Sequence, residues 1–112
     1  MNETIKGKLP VGAKFDGATH RDFELRRELV SDTVEAMDNP RAQHNKAYLT
    51  VCVYARRLAR LGTIPAGKIT PELVMGLAEE DFDALVAASN RFRSGEKQQT
   101  APDNTGADGA GV

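Results

Sequence analysis

The side chains that could carry chemistry in this chain are few and lie far apart in the sequence. Its two histidines, His20 and His44, have no cysteine or carboxylate at the spacing of a metal site. Its one cysteine, Cys52, falls within an apolar stripe, where a small buried side chain is expected. Residues 7–14, GKLPVGAK, lack the spacing of a phosphate-binding loop. We therefore predict no catalytic residues, no metal, no cofactor and no enzymatic activity.

Four neighbouring carboxylates are the other feature that could suggest acid–base chemistry: Glu79, Glu80, Asp81 and Asp83. Acidic side chains are also favoured in the first turn of a helix, where they face the positive end of the helix dipole. An apolar pattern with helical spacing follows them directly. We therefore interpret the four carboxylates as a helix start on a solvated face.

Charge is distributed unevenly along the chain, although the formal net charge is only -1. Residues 39–70 contain no carboxylate, and their cations are Arg41, Lys46, Arg56, Arg57, Arg60 and Lys68. Residues 72–90 contain no cation, and their carboxylates are Glu72, Glu79, Glu80, Asp81 and Asp83. Either the two segments pair within one monomer, or the basic face of one subunit contacts the acidic face of the next. The second arrangement predicts self-association and a partner-binding surface made of Arg56, Arg57, Arg60, Glu79, Glu80 and Asp81.

A chain of 112 residues, 40% of them hydrophobic, supports one folded domain. A single cysteine excludes an internal disulfide, and the N-terminus lacks the apolar run of a secretory signal. No stretch approaches the roughly 20 apolar residues that cross a bilayer. We expect a reduced, cytosolic protein with a flexible segment at 1–7 and a folded domain at 8–95. Residues 96–112, rich in glycine and small polar residues, are expected to form a disordered tail.

The expected fold class is α+β, with an N-terminal β-hairpin followed by a bundle of three to four α-helices. The hairpin is predicted from apolar and polar residues that alternate on both sides of Asp16-Gly17. A two-residue turn there would pair Phe15 with Ala18 and would mix core and solvent faces along the two strands. We therefore predict a bulged turn with an odd loop, in which Gly17 is left-handed.

From Val30 the apolar spacing changes from two residues to about 3.6. Asp32 is predicted to cap a short helix that ends at Asn39-Pro40. A main helix follows and stops at Gly62. Its predicted buried stripe is Tyr48, Val51, Cys52, Ala55, Leu58 and Ala59.

Two further helices are predicted in the last third of the chain. Thr70 supplies a capping hydroxyl and Pro71 the first helical residue of a short helix that runs to about Leu77. The closing helix begins with the acidic residues 79–81 and ends at Gly95.

Three stretches of the sequence, taken together, resemble the small tail assembly chaperones of Mu-like tailed bacteriophages and prophages. They are LPVGAKFDGATHRDFELRREL, DTVEAMDN and YARRLARLGTIPAGKITPELVMGLAEEDFDALVAASNRF, within residues 9–92. Members of this family have a β-rich start, a Leu-Gly-x-Ile-Pro turn, here Leu61 to Pro65, and a Leu-x-x-x-Asp-x-x-x-Leu helix. The last pattern is carried here by Leu77, Asp81 and Leu85.

The resemblance implies a non-enzymatic assembly factor in the cytoplasm of the bacterial host. Such a factor binds the long, helical tape measure protein, and possibly the tail tube protein, and is absent from the finished tail. Two other functions stay open: a structural tail-completion or connector protein of the virion, and a small DNA-binding regulator. The regulator would use the basic helix, with Tyr48 and Tyr54 as its only nearby stacking side chains.

Overall fold

The computed structural model describes residues 3–100, with side chains described as far as residue 93. The fold is α+β, as predicted: a three-stranded antiparallel sheet in the order β1-β2-β3 is combined with five α-helices in this part of the chain. The strands are β1 (Thr4–Phe15), β2 (Ala18–Arg26) and β3 (Leu58–Leu61). The helices are α1 (Val30–Ala36), α2 (Pro40–His44), α3 (Lys46–Arg57), α4 (Pro71–Met75) and α5 (Glu79–Thr100).

The hairpin turn differs from the predicted bulged loop. Phe15 pairs with Ala18, so the turn contains only Asp16 and Gly17, and both have positive φ, 53° and 80°. Two positive φ values are typical of the two-residue turns whose twist suits a hairpin, and aspartate-glycine is a favoured pair for them. The predicted odd loop is therefore wrong at this position.

The odd offset between the strands lies instead within β1. The chain advances five residues in β1, from Lys8 to Ala13, while β2 advances two, from Asp22 to His20. Such a β-bulge changes which residues face the core without changing the turn. Leu9 and Ala13 of β1 are consequently buried with the apolar residues of β2. The strands therefore have the predicted odd offset, but it lies within β1 and not in the turn.

Gly12 in this bulge is buried and has a φ of +105°. A Cβ atom at this position would lie 2.5 Å from Thr19 Cγ2, in a backbone conformation that L-residues rarely adopt. We expect Gly12→Ala to lower the free energy of unfolding by about 1–3 kcal/mol in a urea titration. Gly17→Ala is the matched control, since Gly17 also has positive φ but a Cβ there meets nothing within 4 Å. An equal loss for both variants would show that the bulge is not tightly packed.

The third strand replaces the end of the predicted main helix. The structure ends α3 at Arg57, and residues 58–61 pair with β2, so that Phe23 lies opposite Leu61 and Leu25 opposite Leu58. A register shift between the two pairs puts Leu58 and Leu61 on the core side although they are three residues apart. That spacing imitates a helix, which is why the helical prediction was wrong for Leu58 and Ala59.

Side chains cap the starts of α3 and α4, of which the sequence predicted the one at Thr70. The Asn45 side chain accepts a hydrogen bond from Tyr48 N (3.1 Å), and Thr70 Oγ1 accepts one from Leu73 N (3.3 Å). Pro71 is the first residue of α4, as predicted, although this helix already ends at Met75. Such caps satisfy backbone N–H groups that have no partner within the helix.

The main core lies between the sheet, α3 and α5. Leu25 of β2 and Leu85 of α5 have no exposed surface. The other buried members are Leu9, Ala13, Phe23, Tyr54, Ala55, Leu58, Leu61, Ile64, Ile69, Val74, Ala88 and Phe92. A smaller cluster joins α1, α2 and α3 through Ala36, Ala42, Tyr48, Cys52 and Val53.

Two expected boundaries differ from the described elements. Strand β1 begins at Thr4, so residues 4–7, expected to be flexible, lie in the sheet opposite residues 23–26. Helix α5 continues past Gly95 to Thr100. A lone glycine within a helix costs only about 1 kcal/mol relative to alanine, and the residues that follow it are good helix formers. Of the predicted tail at 96–112, residues 101–112 lie outside the described residues.

Candidate partner-binding site

Arg56, the first predicted basic site residue, joins α3 to α1. Its Nε lies 3.3 Å from Asp32 Oδ1, and its Nη2 donates to Glu35 Oε1. Both carboxylates belong to α1, and neither belongs to the acidic segment 72–83. The charge of Arg56 is therefore already paired within the monomer.

Arg57 was predicted to belong to the partner-binding surface, but its side chain is only 1% exposed. Its Nε donates to the backbone oxygen of Arg26 (3.0 Å), and its Nη1 donates to Ser89 Oγ (2.9 Å). The guanidinium lies over the Tyr54 ring, 5.1 Å from its centroid. Burial lowers the pKa of Arg57 from its ordinary value. This residue therefore ties α3 to β2 and α5, and it is not part of an exposed basic face.

Arg60 lies on β3 and is largely exposed. Its Nη1 is 3.6 Å from Glu24 Oε2 on the neighbouring strand, and its Nε donates to the backbone oxygen of Gly62 (3.3 Å). The three arginines therefore do not form one basic face, because the chain changes from helix to strand between Arg57 and Arg60.

The predicted acidic residues differ in burial, since one is inside the fold and two are on its surface. Asp81 has no exposed surface, and its two carboxylate oxygens accept hydrogen bonds from Val11 N (2.8 Å) and Gly12 N (2.9 Å). It thus holds the β-bulge against the first turn of α5. Glu79 and Glu80 are exposed on that turn. Among the described residues, no ion pair joins the basic and acidic site residues that the charge pattern predicted.

Asp32 is the centre of an ionic cluster that the sequence reasoning missed. Arg26 donates to both of its oxygens, at 2.6 and 2.9 Å, and Leu29 N donates at 2.8 Å. The hydrogen bonds from Arg26 are the largest cause that lowers the pKa of Asp32 from 3.8 to about 2. Asp32 lies in the first turn of α1 and does not occupy the predicted cap position, which belongs to Leu29. No local pattern indicates its pairing with Arg26.

Helix α1 is oriented with its polar side inward. Asp32 and Ala36 are its buried residues, whereas Val30 is 85% exposed and Val34 is 62% exposed. Leu29, just before the helix, is 52% exposed. An apolar stripe on a helix ordinarily faces the core. Here the ionic cluster around Asp32 takes that position, so the apolar stripe is left in solvent.

The exposed stripe forms one wall of a groove of about 450 Å³ between α1 and α5. Phe92 and Ser89 of α5 line the other side. We call this the α1–α5 groove; its full lining is Arg27, Glu28, Leu29, Val30, Thr33, Val34, Arg57, Ser89, Phe92 and Arg93. The sequence signal that could have found it is the helical spacing of the apolar residues Val30, Val34 and Met37.

A second groove of about 420 Å³ lies between α3, α4 and the start of α5. Val51, Val74, Leu77 and Phe82 are among its apolar lining residues. Met75, also in the lining, is 46% exposed, and Glu79 is the one carboxylate among the described lining residues. It is more completely lined by packed core side chains than the α1–α5 groove. Its exposed methionine makes it a useful comparison for the first groove.

The remaining candidate side chains show no reactive arrangement. Cys52 is buried, as its place in the stripe predicts, and burial raises the pKa of its thiol. Tyr48 donates its hydroxyl hydrogen bond to Glu72 Oε2 (3.2 Å), which joins α3 to α4. Within residues 3–100, no group of three or more histidine, cysteine, aspartate or glutamate side chains could hold a metal ion. In the same part of the chain, no helix has the length and apolar character to cross a membrane.

Comparison of the chain with protein-family models, with curated proteins and with solved structures finds no match.

Proposed function

We propose that this protein is a non-enzymatic tail assembly chaperone that binds the tape measure protein and keeps it soluble before the tail tube assembles around it. The observation that carries the proposal is the orientation of α1, whose apolar stripe is exposed beside the α1–α5 groove. Exposed apolar groups that line a groove are typical of surfaces that bind other proteins. The resemblance of residues 9–92 to tail assembly chaperones supplies the class of client.

A helical client suits this surface for a physical reason. An amphipathic helix places apolar residues along one side, and grooves between helices bind such a side through anchors one turn apart. Val30 and Val34 are themselves one turn apart on α1. Burying one such side chain contributes about 1.5–3 kcal/mol. Each contact is weak alone, so several copies along one long client would hold it by multivalency.

The proposal places the protein in the cytoplasm of the bacterial host and excludes it from the mature virion. The tail tube protein is a possible second partner, and self-association of the chaperone is part of the same hypothesis. The six charged residues that the sequence predicted as an interface contribute little to the contact proposed here. Arg57 and Asp81 are buried, and Arg56 is paired within the monomer. The apolar surface of α1 replaces it as the proposed contact.

The test is co-expression with a tape measure protein from the same genome. We expect the chain to raise the soluble amount of tape measure protein and to co-purify with it. Val34→Glu should reduce the co-purified amount by more than about tenfold, because it replaces an apolar contact by a charged group that loses its water when the client's apolar side covers it. Since Val34 is 62% exposed, the variant should keep the melting temperature of the wild type.

Met75→Glu is the matched control, because Met75 is also an exposed apolar residue beside a groove. It should leave co-purification unchanged. Loss of binding in Met75→Glu with full binding in Val34→Glu would move the contact to the second groove. Detection of the chain in purified virions at stoichiometric amounts would contradict the proposal and favour a structural tail protein.

A further inference from the structure

We propose that the α1–α5 groove selects client helices that carry carboxylates beside their apolar stripe. This inference rests on the proposed function, and it adds the chemical character of the segment that is bound. It is carried by the charges of the groove and not by the exposed apolar residues that carry the proposed function.

Cations outnumber carboxylates in the lining of the groove. Arg27, Arg57 and Arg93 line it, and Glu28 is the one carboxylate among the described lining residues. Arg93 is exposed on α5, at the side of the groove opposite Val30 and Val34. An acidic group that enters beside the apolar stripe therefore meets an excess of positive charge.

The buried guanidinium of Arg57 adds to this positive charge at the base of the groove. The partners that accept its two hydrogen bonds to oxygen are neutral, a backbone carbonyl and the Ser89 hydroxyl. Its nearest carboxylate, Glu28 Oε1, is 3.9 Å away and half-exposed, which is beyond hydrogen-bond distance. A buried charge interacts more strongly with a further ion than a solvated charge does.

The Phe92 ring contacts two of the arginines that line the groove, Arg27 and Arg57. The Arg27 guanidinium carbon lies 5.0 Å from the centroid of the Phe92 ring, and that of Arg57 lies 6.0 Å from it. Arg27 Nη2 also pairs with Glu3 Oε1 at 2.9 Å. The ring therefore holds one guanidinium at the mouth of the groove and one at its base, so that little side-chain entropy is lost when an anion binds.

An acidic helix fits these observations better than a nucleic acid does. The wall formed by Leu29, Val30 and Val34 is apolar, and a phosphate backbone has no apolar group that would cover it. A helix with leucines on one side and glutamates at the edge of that side satisfies both the wall and the arginines. The occupant to which the proposal commits is therefore a carboxylate-bearing amphipathic helix.

The test measures the affinity of the full chain for three fluorescein-labelled helical peptides by fluorescence anisotropy. All three share one leucine stripe, which is flanked by glutamates, by glutamines or by lysines. We expect the glutamate peptide to bind about tenfold more tightly than the glutamine peptide, and the lysine peptide to bind weakest. Arg93→Gln should reduce the preference for glutamate, and high salt should reduce it further. Arg91→Gln is the matched control, since Arg91 is exposed on α5 and does not line the groove.

The outcomes separate this inference from the proposed function. Equal affinity for the three peptides, with loss of all three in Val34→Glu, would overturn the inference and leave the apolar contact intact. No binding of any peptide, with tape measure protein still co-purified, would also overturn the inference alone. Duplex DNA that displaces the glutamate peptide at physiological salt would assign the arginines to phosphate and contradict the proposal.

Discussion

Replacing Asp81 by alanine is expected to lower the free energy of unfolding by about 3–5 kcal/mol. The carboxylate accepts hydrogen bonds from the backbone N–H groups of Val11 and Gly12, which are 70 and 69 residues away in sequence. A hydrogen bond to a charged group contributes about 1.5–3 kcal/mol, and the alanine leaves two donors at a packed bulge without an acceptor. Urea unfolding followed by circular dichroism measures the loss.

Asp83→Ala is the control for this experiment, because Asp83 lies on the same helix and is exposed. It should change the free energy of unfolding by less than about 0.5 kcal/mol. In the Asp81→Ala variant, amide hydrogen exchange at Val11 and Gly12 should also become faster. A variant in which both amides stay protected would mean that the bulge is held by the strand pairing and not by Asp81.

Replacing Asp32 by asparagine should make the protein less stable at neutral pH and less sensitive to acid. The folded protein lowers the pKa of Asp32 from 3.8 to about 2, so it favours the ionised carboxylate. The stabilisation is complete above the unfolded pKa and is lost as the pH falls from about 5 to about 2. The shift corresponds to about 2 kcal/mol. Asp32→Asn should therefore have a flatter profile of unfolding free energy against pH in this range.

Asp38→Asn is a suitable comparison, because Asp38 is exposed just after α1. Its profile should follow that of the wild type. The Asp32 variant should also lower the melting temperature at pH 7, since Arg26 and Arg56 lose a common partner. Parallel acid profiles for the wild type and Asp32→Asn would show that other carboxylates determine the acid sensitivity.

Features set by neighbouring residues were predictable from the sequence. The hydroxyl of Thr70 followed by Pro71 predicts the start of α4 because both act within one turn of the helix. The acidic residues at 79–81 predict the start of α5 for the same reason. The α+β class followed from the change in apolar spacing near Val30.

Features that depend on distant partners were not predictable in this way. Leu58 and Leu61 have helical spacing, and only the open edge of β2 makes them a strand. The orientation of α1 depends on Arg26, which lies on another element and draws Asp32 inward. The valines of α1 consequently lie in solvent, which the spacing of apolar residues along the helix does not indicate.

The predicted charged interface shows the same difficulty at the level of function. A separation of cations and carboxylates along the sequence does not determine where the side chains point. Arg57 and Asp81 form hydrogen bonds between elements inside the fold, and Arg56 pairs with α1, which precedes it in the chain. Three of the six predicted site residues are largely exposed and take no part in the core: Arg60, Glu79 and Glu80.

The direct junction between α3 and β3 restricts how the length of this chain can vary. The helix ends at Arg57 and the strand begins at Leu58, with no residue between them. Arg57 is fixed by Arg26 and Ser89 on one side, and Leu58 is fixed opposite Leu25 on the other. An inserted residue would turn either the helix or the strand away from its partner. We therefore expect an inserted residue to be tolerated better in the exposed 3-10 turn Ala66–Lys68, where no strand register depends on the number of residues.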